Sequence, residues 1–188
     1  MFDKVTTRHG GMGRMAGFAA IGLAAGLAAN FGRKLAVQGP SMLQGDWIEA
    51  LKAEHAAVLK LFDALEGTDT DQPRKRSLLL MQIKHALGKH AFEEENVIYP
   101  ALREHGFVTE AASLVVDHGD VKHFLFELDS MPNDSSDFLP KVRVFREDLE
   151  RHMHEEEETI FPMFDAALTD EQRHKLTVNM NREGFKLA

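Results

Sequence analysis

Apolar residues recur every three to four positions through most of this chain, in four long runs parted by short polar breaks. The first run, residues 47–65, sets Ile48, Leu51, His55, Val58, Leu59, Phe62 and Leu65 at that spacing, which predicts an amphipathic helix. Asp46 and Glu49 make a capping-box arrangement at its start, and Gly67 with the polar stretch 68–71 ends it. A second helix is predicted from Pro73, favoured in a first helical turn, to about Glu104. It carries Leu79, Ile83, Leu87, His90 and Glu94 on one stripe and should bend at Pro100. A third covers about 109–129, with Leu114, His118, Val121, Leu125 and Leu128 inward. The fourth covers about 137–167 and carries Val142, Phe145, Leu149, His152 and Glu156. Thr169 and Gln172 form a second capping box, so a short fifth helix should run to about Asn181. β-Branched residues do not alternate with polar ones over any useful length, which argues against strands. The expected fold is all-α: an up-down-up-down four-helix bundle with a short C-terminal helix.

The first 45 residues differ. Residues 1–14 are polar and glycine-rich, 15–31 carry no charge and are mostly Ala, Gly, Leu, Ile and Phe, and 38–45 read as a linker. The chain therefore divides into 1–45 (tail, extra apolar helix and linker), 46–168 (bundle) and 169–188 (C-terminal helix and tail). The apolar stretch sits at the short limit for crossing a bilayer, and Gly22 and Gly26 form a small GxxxG patch suited to close helix packing. Self-association or partner docking, membrane attachment through residues 15–35, and an export signal are its three readings; the expected location is cytoplasmic, with membrane association through this helix as the variant.

Composition narrows the chemistry. The chain has 188 residues, 44% hydrophobic and 28% charged, as expected of a folded domain. A net charge of -8 argues against a nucleic-acid partner, because no basic surface could neutralise many phosphates. With no cysteine, thiolate metal sites, iron–sulfur clusters, cysteine nucleophiles and disulfides are excluded. Ten histidines remain to be explained.

Most of the explanation is a repeat. His90 is followed four residues later by Glu94, and His152 by Glu156; both pairs lead into Ile-aromatic-Pro at Pro100 and Pro162, all at an offset of 62. Four residues is about one helical turn, so each pair puts an imidazole and a carboxylate on one helix face. His55 and His118 match in the preceding helices at an offset of 63. Four imidazoles and two carboxylates should thus point into the bundle at similar depth, a nitrogen and oxygen set suited to a pair of transition-metal ions.

In these residues the chain resembles the hemerythrin-like family, in the branch whose pattern is H…HxxxE…H…HxxxE. The resemblance covers about residues 46–167 and implies a non-haem di-iron centre, two iron ions joined by an oxo or hydroxo bridge. By position, it makes His55, His90, His118 and His152 terminal metal ligands and Glu94 and Glu156 bridging ones. Lys122 stands four past His118 and Glu157 five past His152, which departs from the oxygen carriers and is closer to the internally symmetric branch. The implied function is binding, sensing or reducing a small oxidant such as oxygen, peroxide or nitric oxide. The alternative is a non-catalytic iron sensor, store or donor related to iron–sulfur repair, and whether the chain is an enzyme stays open.

The remaining candidates are weaker. Glu93 and Glu155 match between the halves and could support the ligands from behind. His123, five past His118, is rotated about 140° round a regular helix, which sets it against a role as fifth histidine ligand without deciding it. Tyr99 has Phe161 as its repeat partner, which favours packing over chemistry. His85, His105, His154 and His174 read as surface or supporting residues and His9 as tail.

Overall fold

The computed structural model describes Gly32, Lys34, Gln38 and residues 41–188. Among the described residues every regular element is helical. Four long helices, α1 (Trp47–Glu66), α2 (Pro73–Glu93), α4 (Val108–Ser130) and α5 (Phe138–Glu155), form the bundle. Short connections force consecutive helices to run antiparallel, and each packs on its neighbours around one axis. Asp46 caps α1 by accepting from the Ile48 backbone N–H. Pro73 opens α2, where its missing N–H removes no helical bond.

The second and fourth helices do not simply bend at their prolines. Each widens into one π turn, Glu94–Ile98 and Glu156–Ile160, before continuing as α3 (Tyr99–Glu104) and α6 (Phe161–Asp165). In both, the amide five residues on (Tyr99, Phe161) bonds back to the glutamate carbonyl (Glu94, Glu156). Pro100 and Pro162 come next, and a proline both lacks an N–H and crowds the carbonyl four residues back. A wider turn relieves that crowding, and it shifts the phase of everything after the glutamate.

Two apolar clusters fill the bundle, one on each side of a polar layer. Trp47, Leu51, Ile98, Leu114, Phe161 and Phe164 anchor the first. Val58, Phe62, Ile83, Val121, Phe145 and Leu149 belong to the second. The helix after the bundle, α7 (Asp170–Leu187), starts at the expected Thr169–Gln172 capping box but runs on past Asn181. It is therefore 18 residues long, and Leu176 and Met180 bury into the first cluster. Gln38 and Ser41, within the stretch read as a linker, are helical and buried. No helix among the described residues is long and apolar enough to cross a membrane. The apolar segment 15–31, and the membrane or self-association role expected of it, lies outside the described residues.

Candidate metal centre

The six residues singled out by the repeat meet in the polar layer. His55, His90, Glu94 and Glu156 bring ligand atoms within 4.8 Å of one another, and so do Glu94, His118, His152 and Glu156. Both glutamates belong to both groups. The first lobe takes one histidine from α1 and one from α2, the second one from α4 and one from α5. All six are buried, and both glutamates are wholly inaccessible.

Each imidazole turns Nε2 inward. His90 Nε2 lies 3.1 Å and His118 Nε2 3.2 Å from Glu94 Oε2, while His55 Nε2 and His152 Nε2 each lie 3.5 Å from Glu156 Oε2. Each Nδ1 turns outward to a carboxylate. His55 donates to Glu157 at 2.6 Å, His90 to Glu54 at 3.3 Å and His118 to Glu95 at 3.0 Å. His152 Nδ1 stands 3.4 Å from Asp117 Oδ2, a looser approach. An ionised carboxylate only accepts, so on His55, His90 and His118 a proton sits on Nδ1, while His152 Nδ1 makes no hydrogen bond.

These four carboxylates also obey the repeat. Glu54 and Asp117 each precede a histidine and support the next helix's histidine in their own half. Glu95 and Glu157 each follow a central glutamate and support the histidine of the opposite half. Glu93 and Glu155, which the repeat allowed for this role, make no direct bond to any of the four histidines. Glu93 is buried but bonds Lys89 and Gln38, and Glu155 is only half-buried.

Tyr99 is the residue the sequence reading undervalued. Its hydroxyl lies 3.0 Å from Glu156 Oε1, 3.3 Å from Glu94 Oε2 and 2.9 Å from His118 Nε2, so it is part of the cluster. In a regular helix, five residues would set it about 140° from Glu94; the π turn brings it onto the same face. Its partner Phe161 instead packs edge-on against Trp47, ring centroids 5.1 Å apart. His123 is exposed beside Glu127 and takes no part in the cluster. His85, His154 and His174 are exposed, and His105 binds the Ala101 carbonyl at the surface.

Neighbouring charges decide which of these buried groups stays ionised. Burial alone would lower His90, but Glu94 and Glu54 carry it well above the usual histidine range. Burial would raise Glu94, yet His90 and His118 hold it well below the carboxylate range. Glu156 goes the other way, raised by burial and by the charge of Glu94. Burial pushes His152 down to about 4. The cluster thus balances its charge with protons, including one between His55 Nε2 and His90 Nε2, which are 2.9 Å apart. A cation held by these atoms would displace such protons.

The fit to metal rests on atoms left without partners. Glu94 Oε1, Glu156 Oε2 and His152 Nε2 are buried with no hydrogen bond. Each such group costs about 1–3 kcal/mol unless something satisfies it, and a transition-metal cation satisfies imidazole nitrogen and carboxylate oxygen together. A cavity of about 50 Å³ adjoins the cluster, lined by all four histidines and by Leu87, Val121, Leu149 and Met153. Its outer wall is Gly88, Ala91, Lys122 and Leu125.

Comparison with known proteins agrees with this geometry. Residues 46–164 match the Hemerythrin HHE cation binding domain. The chain belongs to that family. A crystal structure of a hemerythrin HHE cation-binding domain-containing protein from Mycobacterium kansasii shares the fold, with a TM-score of 0.68 at 22% identity over 76% of this chain and 86% of that one. An uncharacterized hemerythrin-like protein of Schizosaccharomyces pombe is 27% identical over 101 residues, 51% of this chain and 49% of that protein. A Nostoc sp. protein named DNA nickase is 26% identical over 124 residues, 66% of this chain and 35% of that protein. The chain thus spans half or less of these two curated relatives. As a family member it is a metal-binding helical-bundle protein, and its buried histidines and glutamates form two groups that could hold a metal ion.

Proposed function

We propose that this hemerythrin-like domain is a non-haem di-iron protein of the internally repeated branch, in which His55, His90, His118 and His152 are terminal ligands and Glu94 and Glu156 bridge. The observation that carries this reading is the sharing of both glutamates by two four-residue groups, since one bridging pair serves two ions and leaves each with nitrogen and oxygen donors. We take the ligand to be a small oxidant: oxygen, peroxide or nitric oxide. The size of the cavity supports this, because about 50 Å³ holds only a few atoms, one water needing about 10–15 Å³ of such space.

Bound iron would supply the electrons and the open coordination position. The chain's own residues do the rest. Glu54, Glu95, Asp117 and Glu157 orient the imidazoles. Leu87, Val121 and Leu149 keep the cavity apolar, and Tyr99 holds a hydroxyl proton against Glu156. The second reading, an iron sensor or donor, draws on Gln38 and Ser41, which tie the N-terminal segment to the carboxylates around the first lobe. Stopped-flow mixing of the iron-loaded protein with peroxide and with nitric oxide separates the readings. Multiple turnovers support the reducing role, a single binding event with altered oligomeric state supports the sensor, and no reaction with either contradicts both.

A further inference from the structure

The two lobes have equivalent ligands but different roofs. Over the first lobe, Glu54 Oε1 accepts from Ser41 Oγ and from Lys89 Nζ, each at 2.5 Å, while its other oxygen accepts from His90. Lys89 also reaches both oxygens of Glu93, at 3.0 and 3.1 Å. Gln38 Nε2 closes the network, donating to Glu93 at 3.0 Å and to Asn181 of α7 at 3.2 Å. Gln38, Ser41, Lys89 and Glu93 are all buried. A Cβ on Gly184 would stand 1.6 Å from Glu93 Oε1 and 2.6 Å from Gln38 Oε1, so α7 can lie this close only because that residue is glycine.

Over the second lobe the repeat-mates of Glu54, Lys89 and Glu93 are Asp117, Arg151 and Glu155. Arg151 is 53% exposed and 3.5 Å from Asp117, and Asp117 Oδ2 has no hydrogen bond. The difference comes from Gln38, Ser41 and α7, all outside the repeat.

We propose that Gln38 and Ser41 are positioning residues of the first lobe: by fixing Glu93 and Glu54 they hold the His90 imidazole in place, so the His55–His90 lobe binds its cation more tightly than the His118–His152 lobe. This rests on the metal-binding reading of the six residues. Loss of a carboxylate that bonds a metal-binding histidine weakens metal binding by about 10–100-fold; Ser41 and Gln38 act further out, through Glu54 and Glu93, so their loss should cost the lower end of that range.

The test is an anaerobic titration of the full-length chain with Co(II), followed by calorimetry and by the visible ligand-field spectrum. Wild type should take up two ions in two steps. Ser41→Ala and Gln38→Ala should weaken the tighter step by about tenfold, the lower end of that range, and leave the weaker step and the circular dichroism unchanged; Ser41→Thr, which keeps the hydroxyl, should restore it. Gly184→Ala, which perturbs the same network from α7, should act on the same step, and Asp117→Ala on the other. Unchanged titrations in Ser41→Ala, Gln38→Ala and Gly184→Ala would overturn the proposal while leaving the site intact. Equal weakening of both steps would overturn it as well, by making the effect a general loss of structure. A wild-type chain that takes up no ions would instead defeat the metal-binding reading itself, and this proposal with it.

Discussion

The two halves of the bundle each supply the same three-residue pattern, yet the halves are not the same site twice. The first lobe is roofed by Gln38, Ser41 and α7 over a buried Lys89–Glu54–Glu93 network. The second is flanked by the hydroxyl of Tyr99, a first-half residue whose second-half counterpart, Phe161, packs on Trp47 instead. One side of the cavity, between α2 and α4, carries Gly88 and Ala91 where the fourth helix has Glu150 and Met153. Duplication thus accounts for the six converging side chains, and departures from duplication account for the different surroundings of the two lobes. An internally repeated bundle can assign different tasks to two lobes without altering a ligand.

The comparison is tested hardest at the shared residues. Glu156→Ala removes a carboxylate common to both lobes, so bound metal should fall from two ions per chain to one or none by elemental analysis. Retention of both would break the claim that the lobes share it.

Access comes next. Gly88 is exposed within α2, and a Cβ added there meets nothing within 4 Å. Gly88→Phe should fill the mouth of the cavity and slow azide or nitric-oxide binding to the iron-loaded protein about tenfold, the effect of an added barrier of about 1.4 kcal/mol. Metal content should not change, and the mirror change Glu150→Phe should leave the rate alone. Equal slowing by both would erase the distinction between the two sides.

The tyrosine sharpens the contrast further. Tyr99→Phe makes the halves alike at that position and removes the one hydroxyl that donates to Glu156 and also meets His118 Nε2. Thermal or urea melts of the metal-free protein should show a loss of about 1–3 kcal/mol, the cost of leaving buried polar groups unpaired, while the iron-loaded form keeps two ions. The smallest effect is Gly88→Ala, which should stabilise the fold by about 0.5–1 kcal/mol because glycine in a helix interior is costly and the new methyl has open space.

Much of this was legible in the sequence. The helices, their caps at Asp46 and Thr169, and the meeting of the six side chains follow from apolar spacing and from two nearly equal offsets. Tyr99 was not legible, because its position depends on a π turn that breaks the helical phase on which the reading relies. Glu54, Asp117, Glu95 and Glu157 could have been found by extending the repeat one residue to either side of each ligand. Gln38 and Ser41 carry no periodic signal at all, and their role arises only when α7 folds back over α2, far along the chain.

The central claim is that two cations sit together, joined by Glu94 and Glu156. Mössbauer spectroscopy of the full-length, iron-loaded protein, with iron and protein quantified on the same sample, tests it most directly. The account expects two irons per chain, magnetically coupled through their shared bridges. A single iron per chain, or two irons with no coupling between them, would contradict it.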